Sequence, residues 1–175
     1  MHINFEFKAK HKNIAEAERI LLGKNPRFVG DDHQVDTYFN VPNGRLKLRE
    51  GTIEQSLIFY ERTNTAGAKQ SNVTLYSHQP DAALKLALTQ AIGVKVVVDK
   101  KRKIYFIDNV KFHFDRVEVL GEFLEVEAID NDGSIGIEKL KEQCTYYQQL
   151  LGVHDNDFMA ESYSDLLLAK KSSFV

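Results

Sequence analysis

The stretch NGRLKLRE at residues 43–50 decides how the rest of the chain is interpreted. Read as a β-strand, it places three cations on one face and two leucines on the other, because neighbouring side chains of a strand point to opposite sides. The cations are Arg45, Lys47 and Arg49. Like charges at adjacent positions of one face repel one another, so this face is expected to meet either water or an anion.

The length and composition of the chain predict one globular domain. It has 175 residues, of which 43% are hydrophobic and 27% are charged, enough to enclose a core. We interpret residues 1–170 as that domain and residues 171–175 as a flexible tail. A net charge of −2 gives no general attraction to nucleic acid or to an anionic membrane. Because there is no signal peptide and no apolar run near the ~18 residues that cross a bilayer, a cytoplasmic location is expected.

Alternating and helical patterns predict an α+β chain that is mainly antiparallel β. Strands are predicted at residues 2–10, 34–41, 45–50, 55–63, 71–78, 94–108, 110–121 and 122–130, with a flexible link at 64–70. Helices are predicted at residues 13–25, 80–92, 134–151 and 157–170. Asn13 and Ser134 are the expected N-caps of the first and third helices. Cys144, on the apolar stripe of the third helix, is interpreted as a buried core thiol.

A charged face recurs on nearly every predicted strand, and two architectures account for it. In an open sheet, the charged face lies in water while the apolar face packs on helices, and composition alone favours this common arrangement. In a closed barrel, the apolar faces point outward beneath helices and the charged faces line the lumen. The charged residues are Glu6, Lys8, Arg45, Lys47, Arg49, Arg62, Lys100, Arg102, Asp115, Glu125 and Glu127.

One part of this charged face is acidic and has the residue types of a metal site. The segment EVE puts Glu125 and Glu127 on one side of a strand, where two carboxylates repel unless a cation lies between them. Together with Glu6 and Asp115 they supply hard oxygen ligands of the kind that Mg²⁺ and Mn²⁺ prefer. The alternative interpretation is that EVE belongs to a solvated strand edge.

The other part is basic and has the pattern of an anion site. Cations two residues apart form ladders along strands, and facing ladders bind phosphate oxygens through guanidinium and ammonium groups. The set is Arg45, Lys47, Arg49, Arg62, Lys100 and Arg102. Lys101 and Lys103 fall on the opposite face and are interpreted as solvated. His113 shares its strand face with Asp115, which makes it a candidate lumen residue, but it is interpreted as a plain polar histidine. Asp36 is interpreted as a capping or turn residue at a strand start.

Taken in order, these motifs resemble the CYTH superfamily, the triphosphate tunnel metalloenzymes, over residues 4–168. That family carries an E-x-E-x-K strand, a paired basic strand, a later K-x-R, and a closing E-x-E with an upstream aspartate. The matching positions are Asn4, Glu6, Lys8, Lys47, Arg49, Arg62, Lys100, Arg102, Asp115, Glu125 and Glu127. The departure is Asn4, which replaces the first glutamate. Its carbonyl oxygen can ligate a metal but adds no negative charge.

The resemblance implies a closed eight-stranded β-tunnel with a charged lumen and helices packed outside. The stretches 36–50 and 110–128 look most like the class IV adenylate cyclase-like branch, which implies metal-dependent conversion of ATP to cyclic AMP and pyrophosphate. Relatives of that branch hydrolyse tripolyphosphate or thiamine triphosphate, so hydrolysis stays open as the alternative. A non-catalytic module that binds polyphosphate or nucleotide is a further alternative. A cyclase also needs an adenine pocket, but Tyr38 and Tyr60 are interpreted as strand packing.

The resemblance also implies roles for the charged residues. The metal, Mg²⁺ or Mn²⁺, would be held by Glu6, Asp115, Glu125 and Glu127, with Asn4 as a further candidate ligand. The triphosphate would be bound by Lys8, Arg45, Lys47, Arg49, Arg62, Lys100 and Arg102. The expected catalytic residues are Lys8, Glu6 and Arg102. We expect a small-molecule triphosphate as the partner, with no nucleic acid and no membrane, and the branch is compatible with a homodimer.

Overall fold

The structure is a computed structural model of the chain, and it describes residues 2–62 and 67–172. The strands are β1 (His2–Ala9), β2 (Arg27–Phe39), β3 (Arg45–Gly51), β4 (Gln55–Arg62), β5 (Lys69–Ser77), β6 (Val94–Ile107), β7 (Val110–Val117) and β8 (Gly121–Asp130). The helices are α1 (Ile14–Leu22), α2 (Ala82–Ile92), α3 (Ile137–Leu150) and α4 (Tyr163–Ser172), with a 3-10 turn at Asp155–Asp157. Within those described ranges, no helix has the length and apolar character that a membrane crossing requires. Part of the link predicted at 64–70, residues 64–66, lies outside the described residues.

The eight strands form one closed antiparallel barrel. Their order around it is β1-β5-β4-β3-β2-β6-β7-β8, and the pairing of β1 with β8 closes the ring. The predicted β-tunnel is therefore confirmed, and the open sheet that composition alone favoured is wrong. Closure brings the charged faces of opposite strands together inside the barrel, where acids and bases from distant parts of the sequence can pair.

Strand alternation sends apolar side chains outward and charged side chains inward. On β1, Phe5 and Phe7 point out beneath the helices, whereas Glu6 and Lys8 point into the lumen. Helices α1 and α3 cover this side of the barrel and bury a continuous apolar layer. That layer includes Phe7, Leu21, Phe112, Phe114, Leu124, Val126, Leu140 and Cys144. The main hydrophobic core thus lies outside the barrel wall, and the prediction of a buried Cys144 is confirmed.

Asn13 caps α1 as predicted, whereas Ser134 does not cap α3. The Asn13 side-chain oxygen accepts a backbone N–H in the first turn of α1 at 3.1 Å. Helix α3 begins only after Gly136, so the predicted cap at Ser134 is wrong. The carboxylate of Asp130 is the reason, because it accepts the backbone N–H groups of Gly133 at 2.8 Å and Gly136 at 2.9 Å and holds this loop out of the helix.

The last helix begins later than predicted. Helix α4 starts at Tyr163, because the segment 157–159 before it pairs with β1 instead of continuing as helix. The Met159 backbone N–H donates to the Lys8 carbonyl at 2.9 Å in this pairing. The helix includes the first two residues of the predicted tail, and residues 173–175 lie outside the described part of the chain.

Helix α4 and an apolar cluster fill one end of the tunnel. The cluster consists of buried side chains from β6, β7, β8 and α4 that point inward, namely Val96, Val98, Val117, Phe123 and Tyr163. The other end is rimmed by the exposed side chains of Ile53, Leu75 and Asn131. The tunnel is therefore blind at the α4 end and has its mouth at the other.

Candidate active site

The lumen holds a cavity of about 900 Å³ that brings most of the predicted site residues together. Its walls are strand faces, so strand alternation rather than a loop positions most of these side chains. The predicted residues that line it are Asn4, Glu6, Lys8, Lys47, Arg49, Arg62, Lys100, Arg102, Glu125 and Glu127. Tyr38 and Tyr60, interpreted as strand packing, also line it. The remaining two predicted residues, Arg45 and Asp115, are held in ion pairs behind this lining.

Arg45 and Asp115 tie α4 to the barrel. Arg45 binds the Asp165 carboxylate of α4 at 2.9 Å. Asp115 accepts two hydrogen bonds from Arg102, at 2.6 and 2.5 Å, and one from the Tyr163 hydroxyl of α4 at 2.7 Å. The triphosphate role of Arg45 and the metal role of Asp115 stay predictions, and each would require one of these contacts to open.

Three cations from β3 and β6 converge on one carboxylate from β2. We call this set the cationic wall; it consists of Asp36, Lys47, Arg49 and Lys100. Asp36 accepts two hydrogen bonds from Arg49, at 2.8 and 3.0 Å, and one from Lys47 at 3.0 Å. It accepts a further one from Lys100 at 2.7 Å. Two of the three cations predicted to repel one another, Lys47 and Arg49, are therefore held together by an internal anion.

The interpretation of Asp36 as a capping or turn residue is wrong. It lies within β2, which is longer than predicted, and its side chain faces the lumen and is 1% exposed. The sequence carries a signal for this position, because Asp36 lies two residues from Gln34 and from Tyr38, and residues at this spacing share one face of a strand. The β2–β3 hairpin also places it directly opposite Arg49, a predicted phosphate ligand.

Burial and mutual charge shift the pKa values of the cationic wall. Burial opposes ionisation of Asp36, but the three cations of the wall hold its pKa well below the ordinary value. Burial and two neighbouring arginines lower the pKa of Lys100 to about 7, against the opposing charge of Asp36. Lys100 is therefore the member of this wall that titrates near neutral pH.

The opposite wall carries carboxylates and one histidine. We call this set the acidic wall; it consists of Glu6 on β1, His113 on β7, and Glu125 and Glu127 on β8. Strand pairing places Glu6 directly opposite Glu127, and His113 directly opposite Glu125. Potential ligand atoms of His113, Glu125 and Glu127 lie within 4.8 Å of one another.

Neighbouring cations neutralise two of these carboxylates. Arg62 donates to Glu6 at 2.5 Å. Arg102 donates to one oxygen of Glu125 at 2.9 Å, and the Lys8 ammonium lies 3.5 Å from the other oxygen. These contacts join the predicted phosphate-binding cations to the predicted metal ligands, so both functions share one network.

Glu127 is the carboxylate of the acidic wall without a cationic partner among the described residues. Within residues 2–62 and 67–172, no lysine or arginine forms an ion pair with it, and its nearest partner is His113 at 4.0 Å. Burial, with the charges of Glu125 and Glu6, raises the pKa of Glu127 to about 7. The side-chain oxygen of Asn4 is also buried without a hydrogen-bond partner among the described atoms. A divalent cation held here would supply the missing charge and take the Asn4 amide oxygen as a further ligand, so the acidic wall and Asn4 fit Mg²⁺ or Mn²⁺.

Three further residues of the barrel interior were not predicted as part of the site, and of these Glu54 and Lys111 line the cavity. His113 is buried, and burial with two nearby cations lowers its pKa to about 3, so its imidazole is neutral at physiological pH. Glu54 binds Arg49 at 2.8 Å and also binds Lys111, which links the two walls. Lys111 and His113 share one face of β7 with Asp115, and that spacing could have identified them as site residues. Glu54 lies in the turn after β3, where no periodicity marks it.

Comparisons with known proteins agree with this geometry. The model of the CYTH domain family matches residues 2–163. The PH1012 protein of Pyrococcus horikoshii OT3 superposes with a TM-score of 0.77 and 26% identity, covering 95% of this chain and 99% of its own. A candidate adenylate cyclase of Vibrio parahaemolyticus gives 0.74 and 18% identity over 94% of this chain and 97% of its own.

HpAC1 of Hippeastrum, a candidate adenylyl cyclase described with a dominant triphosphatase activity, gives a TM-score of 0.61 and 12% identity. The match covers 98% of this chain and 96% of HpAC1. No curated protein sequence matches this chain. The structural likenesses show a shared fold, and the family model covers nearly the whole barrel. The protein therefore belongs to the CYTH domain family.

Proposed function

We propose that this protein is a divalent-metal-dependent enzyme that cleaves the phosphoanhydride chain of a triphosphate-bearing small molecule. The first candidate reaction is the conversion of ATP to cyclic AMP and pyrophosphate. The observation that carries the proposal is one buried cavity in which a cationic wall faces a carboxylate wall that lacks a cation at Glu127. A triphosphate and a divalent metal complement these two walls together, and neither alone matches both.

The cationic wall would bind the phosphate chain. Lys47, Arg49 and Lys100 already converge on the Asp36 carboxylate, and phosphate oxygens are acceptors of the same kind. Arg62, Lys8 and Arg102 pair with carboxylates of the acidic wall and would bind phosphate from that side of the lumen. Arg45 on β3 would join them once its contact with Asp165 opens. Because they come from rigid strands, they stabilise charge that develops in the transition state without having to reorganise.

The acidic wall would hold Mg²⁺ or Mn²⁺, through Glu6, Glu125 and Glu127 with Asn4 and Asp115 as further candidates. When bound, such an ion polarises phosphate oxygens and neutralises part of their charge. Glu6 would help to fix that ion, and Arg102 would bind the phosphate undergoing attack. Lys8, between Glu125 and the Tyr163 ring, would orient the attacking oxygen.

In the cyclase reaction, the ribose 3′-oxygen bonds to the α-phosphorus, the bond from that phosphorus to the bridging oxygen breaks, and pyrophosphate leaves. The hydroxyl proton passes to solvent. An organic substrate is supported by the mouth of the tunnel, where the apolar side chains of Ile53, Leu75, Phe106 and Ile129 line the cavity. These side chains offer a surface for a base or another ring, which inorganic tripolyphosphate would not use.

Hydrolysis of tripolyphosphate or thiamine triphosphate is the second candidate. Here a water oxygen bonds to the terminal phosphorus, and the bond to the bridging oxygen breaks to release phosphate. The blind end of the tunnel favours this reaction, because a terminal phosphate there meets cations without any group beyond the lumen. The likeness to HpAC1, described with a dominant triphosphatase activity, is consistent with both candidates on one fold.

The same proposal takes residues 1–170 as one domain that acts in the cytoplasm on a small molecule, rather than on nucleic acid or at a membrane. The net charge of −2 supports it, because the chain as a whole carries no excess of positive charge that would attract a polyanion. A homodimer is compatible with this proposal and is tested by measuring the mass of the purified protein in solution.

The test is product analysis with matched variants. Purified protein is incubated with Mg²⁺ or Mn²⁺ and, separately, with ATP, tripolyphosphate and thiamine triphosphate, and all products are separated by chromatography. Cyclic AMP with pyrophosphate establishes the cyclase, and phosphate release without cyclic AMP establishes the hydrolase. Turnover should be lost in Lys100→Ala and kept in Lys101→Ala, whose side chain lies on the outer face of the same strand. Tight binding without any product would replace the enzyme with a binding module.

A further inference from the structure

We propose that His113 is a metal ligand in the tunnel through its Nε2 atom, with Glu127 as its partner ligand, and that this gives the site a preference for Mn²⁺ over Mg²⁺. The inference rests on the proposed function, because it concerns the metal that the acidic wall would bind. It adds an imidazole to a ligand set that sequence reasoning built from oxygen atoms alone.

The first step is the position of the imidazole proton. His113 is 1% exposed, and its Nδ1 lies 3.2 Å from an oxygen of Glu125. That same carboxylate accepts from Arg102 at 2.9 Å and faces the Lys8 ammonium at 3.5 Å, so it acts as an acceptor. The hydrogen bond to Glu125 therefore requires the proton on Nδ1, which leaves Nε2 with a free lone pair.

The second step is what this lone pair faces. Among the described atoms, Nε2 of His113 has no hydrogen-bond partner, and it lies 4.0 Å from an oxygen of Glu127. A buried acceptor without a donor is unfavourable, and more so beside a carboxylate. Two ligand atoms at roughly 2.1 Å from one metal ion lie at most about 4.2 Å apart. The separation of Nε2 and the carboxylate oxygen therefore admits one ion between them.

The third step is which oxygen ligands are available. Glu6 is bonded to Arg62 at 2.5 Å, and Glu125 is bonded to Arg102 as well as to His113. Glu127 is the member of this wall whose carboxylate no described lysine or arginine pairs. The Glu125 oxygen that accepts from Arg102 therefore orients the imidazole, in the arrangement by which a carboxylate fixes a metal-binding histidine, and the other Glu125 oxygen stays a candidate ligand. His113 and Glu127 remain as the open pair.

The ligand types then decide the metal. Mg²⁺ takes oxygen ligands almost exclusively and keeps several waters, whereas imidazole suits first-row transition ions. A mixed set of one imidazole nitrogen and carboxylate oxygens is therefore expected to bind Mn²⁺ more tightly than Mg²⁺. Loss of the imidazole should remove most of that difference and leave an oxygen-only site.

The direct test is pulsed electron paramagnetic resonance on the full chain loaded with Mn²⁺ alone. We expect a ¹⁴N coupling in the wild type that is lost in His113→Gln. It should persist in His78→Gln, because His78 lines the cavity at its mouth but belongs to neither wall. By calorimetry, His113→Gln should weaken Mn²⁺ binding about tenfold and Mg²⁺ binding far less.

Mn²⁺ bound without nitrogen coupling, or coupling that persists in His113→Gln, would overturn the inference and leave the proposed function standing. No binding of either metal by the wild type would overturn both. If His113→Gln does not fold, His78→Gln labelled with ¹⁵N-histidine decides the question. The ¹⁴N coupling must then be replaced by a ¹⁵N coupling, and an unchanged spectrum would again overturn the assignment.

Discussion

The two walls of the tunnel are both highly charged, but only the cationic wall is balanced from within. There, Asp36 accepts hydrogen bonds from Lys47, Arg49 and Lys100. In the acidic wall, Glu127 has no such counter-ion among the described residues, and its pKa is raised to about 7 by burial and by neighbouring carboxylates. One wall thus holds its cations in place around an internal carboxylate, and in the proposed function a divalent cation would complete the other.

This difference shows how a buried charged site can be stable without its ligands. Desolvation of paired charges is costly, and removal of one partner leaves the other uncompensated. Asp36 prevents that in the cationic wall, because it keeps three cations paired. Under the proposed function, a triphosphate would compete with this carboxylate, whereas a metal ion would compete with protons in the acidic wall.

Removal of Arg49 from the cationic wall should have the largest effect on activity and on stability. Arg49→Ala deletes two hydrogen bonds to Asp36 and one to Glu54, so Asp36 keeps only Lys47 and Lys100 and Glu54 keeps only Lys111. We expect kcat/KM for the preferred triphosphate to fall at least about a hundredfold. The free energy of unfolding should fall by about 3 kcal/mol, measured by urea denaturation.

The matched control for that variant is Lys101→Ala, which removes a cation from the outer face of β6. It should change the free energy of unfolding by no more than about 0.5 kcal/mol and leave kcat/KM unaltered. If Arg49→Ala does not fold, Arg49→Lys retains the charge and loses the two-pronged contact, and its kcat/KM should still fall. Full activity in both Arg49 variants would show that phosphate is bound elsewhere.

Removal of the internal anion should separate stability from binding. Asp36→Asn is expected to lower the free energy of unfolding by about 2 kcal/mol, because Lys47 and the buried Arg49 and Lys100 lose the negative charge that they share. Affinity for tripolyphosphate without metal should rise about tenfold, since one negative charge no longer competes. Calorimetry measures the affinity, and Asp99→Asn, an outer-face carboxylate on β6, is the control. An affinity that falls instead would make Asp36 a fixed part of the phosphate site.

Period-two alternation made much of the barrel predictable from sequence, and β1 shows why. Its apolar residues all share one face, so Glu6 and Lys8 can only lie on the other, wherever the strand sits. The resemblance to the family then decided that this other face points inward. Element boundaries that depend on tertiary contacts were harder to predict. Helix α4 starts later than predicted because the segment before it pairs with the Lys8 backbone instead of forming a turn of helix.

Site residues were predictable from the sequence where charges repeat along one strand. They were not predictable where a residue's role depends on its contacts with other strands. Lys47 and Arg49 are recognisable in the sequence because they lie two residues apart on one strand. Asp36 is a single acid, and its role depends on β2 lying between β3 and β6. Glu54 lies in a turn and reaches Lys111 across the lumen. A one-dimensional pattern does not contain those distances, so the balance within the cationic wall became visible only in the structure.

The lowered pKa of Lys100 predicts a smaller, pH-dependent effect. It faces Asp36, Lys47, Arg49 and Arg102, and its pKa of about 7 lies below the ordinary 10.5. A triphosphate raises that pKa, so binding at pH 8 should take up a proton, and affinity should fall by up to about tenfold per pH unit above 7. Calorimetry of tripolyphosphate in two buffers of different ionisation enthalpy measures the uptake.

The sign of the accompanying change in stability follows from the same shift. Between about 7 and 10.5 the unfolded chain keeps the Lys100 proton that the folded protein has released, so this group's contribution to ligand-free stability rises with pH. Lys100→Gln removes the titrating group, so it should abolish both the proton uptake and this share of the pH dependence. Uptake of the same size in Lys100→Gln would assign the titration to another group.

The smallest expected effect tests the acidic wall at the position where this chain departs from the family pattern. Asn4→Asp adds a carboxylate two residues from Glu6 on the same face of β1, without a change of shape. The metal-free protein should lose about 1 kcal/mol of unfolding free energy, because another acid joins a wall already short of cations. Mn²⁺ affinity should rise about threefold, because the ion gains a charged ligand in place of a neutral one.

Saturating Mn²⁺ should therefore erase the stability difference, whereas Asn72→Asp on the exposed face of β5 should show neither effect. If the loss of stability persists at saturating Mn²⁺, the Asn4 side chain does not face the metal, and the cation that completes the acidic wall lies nearer to Glu127 and His113.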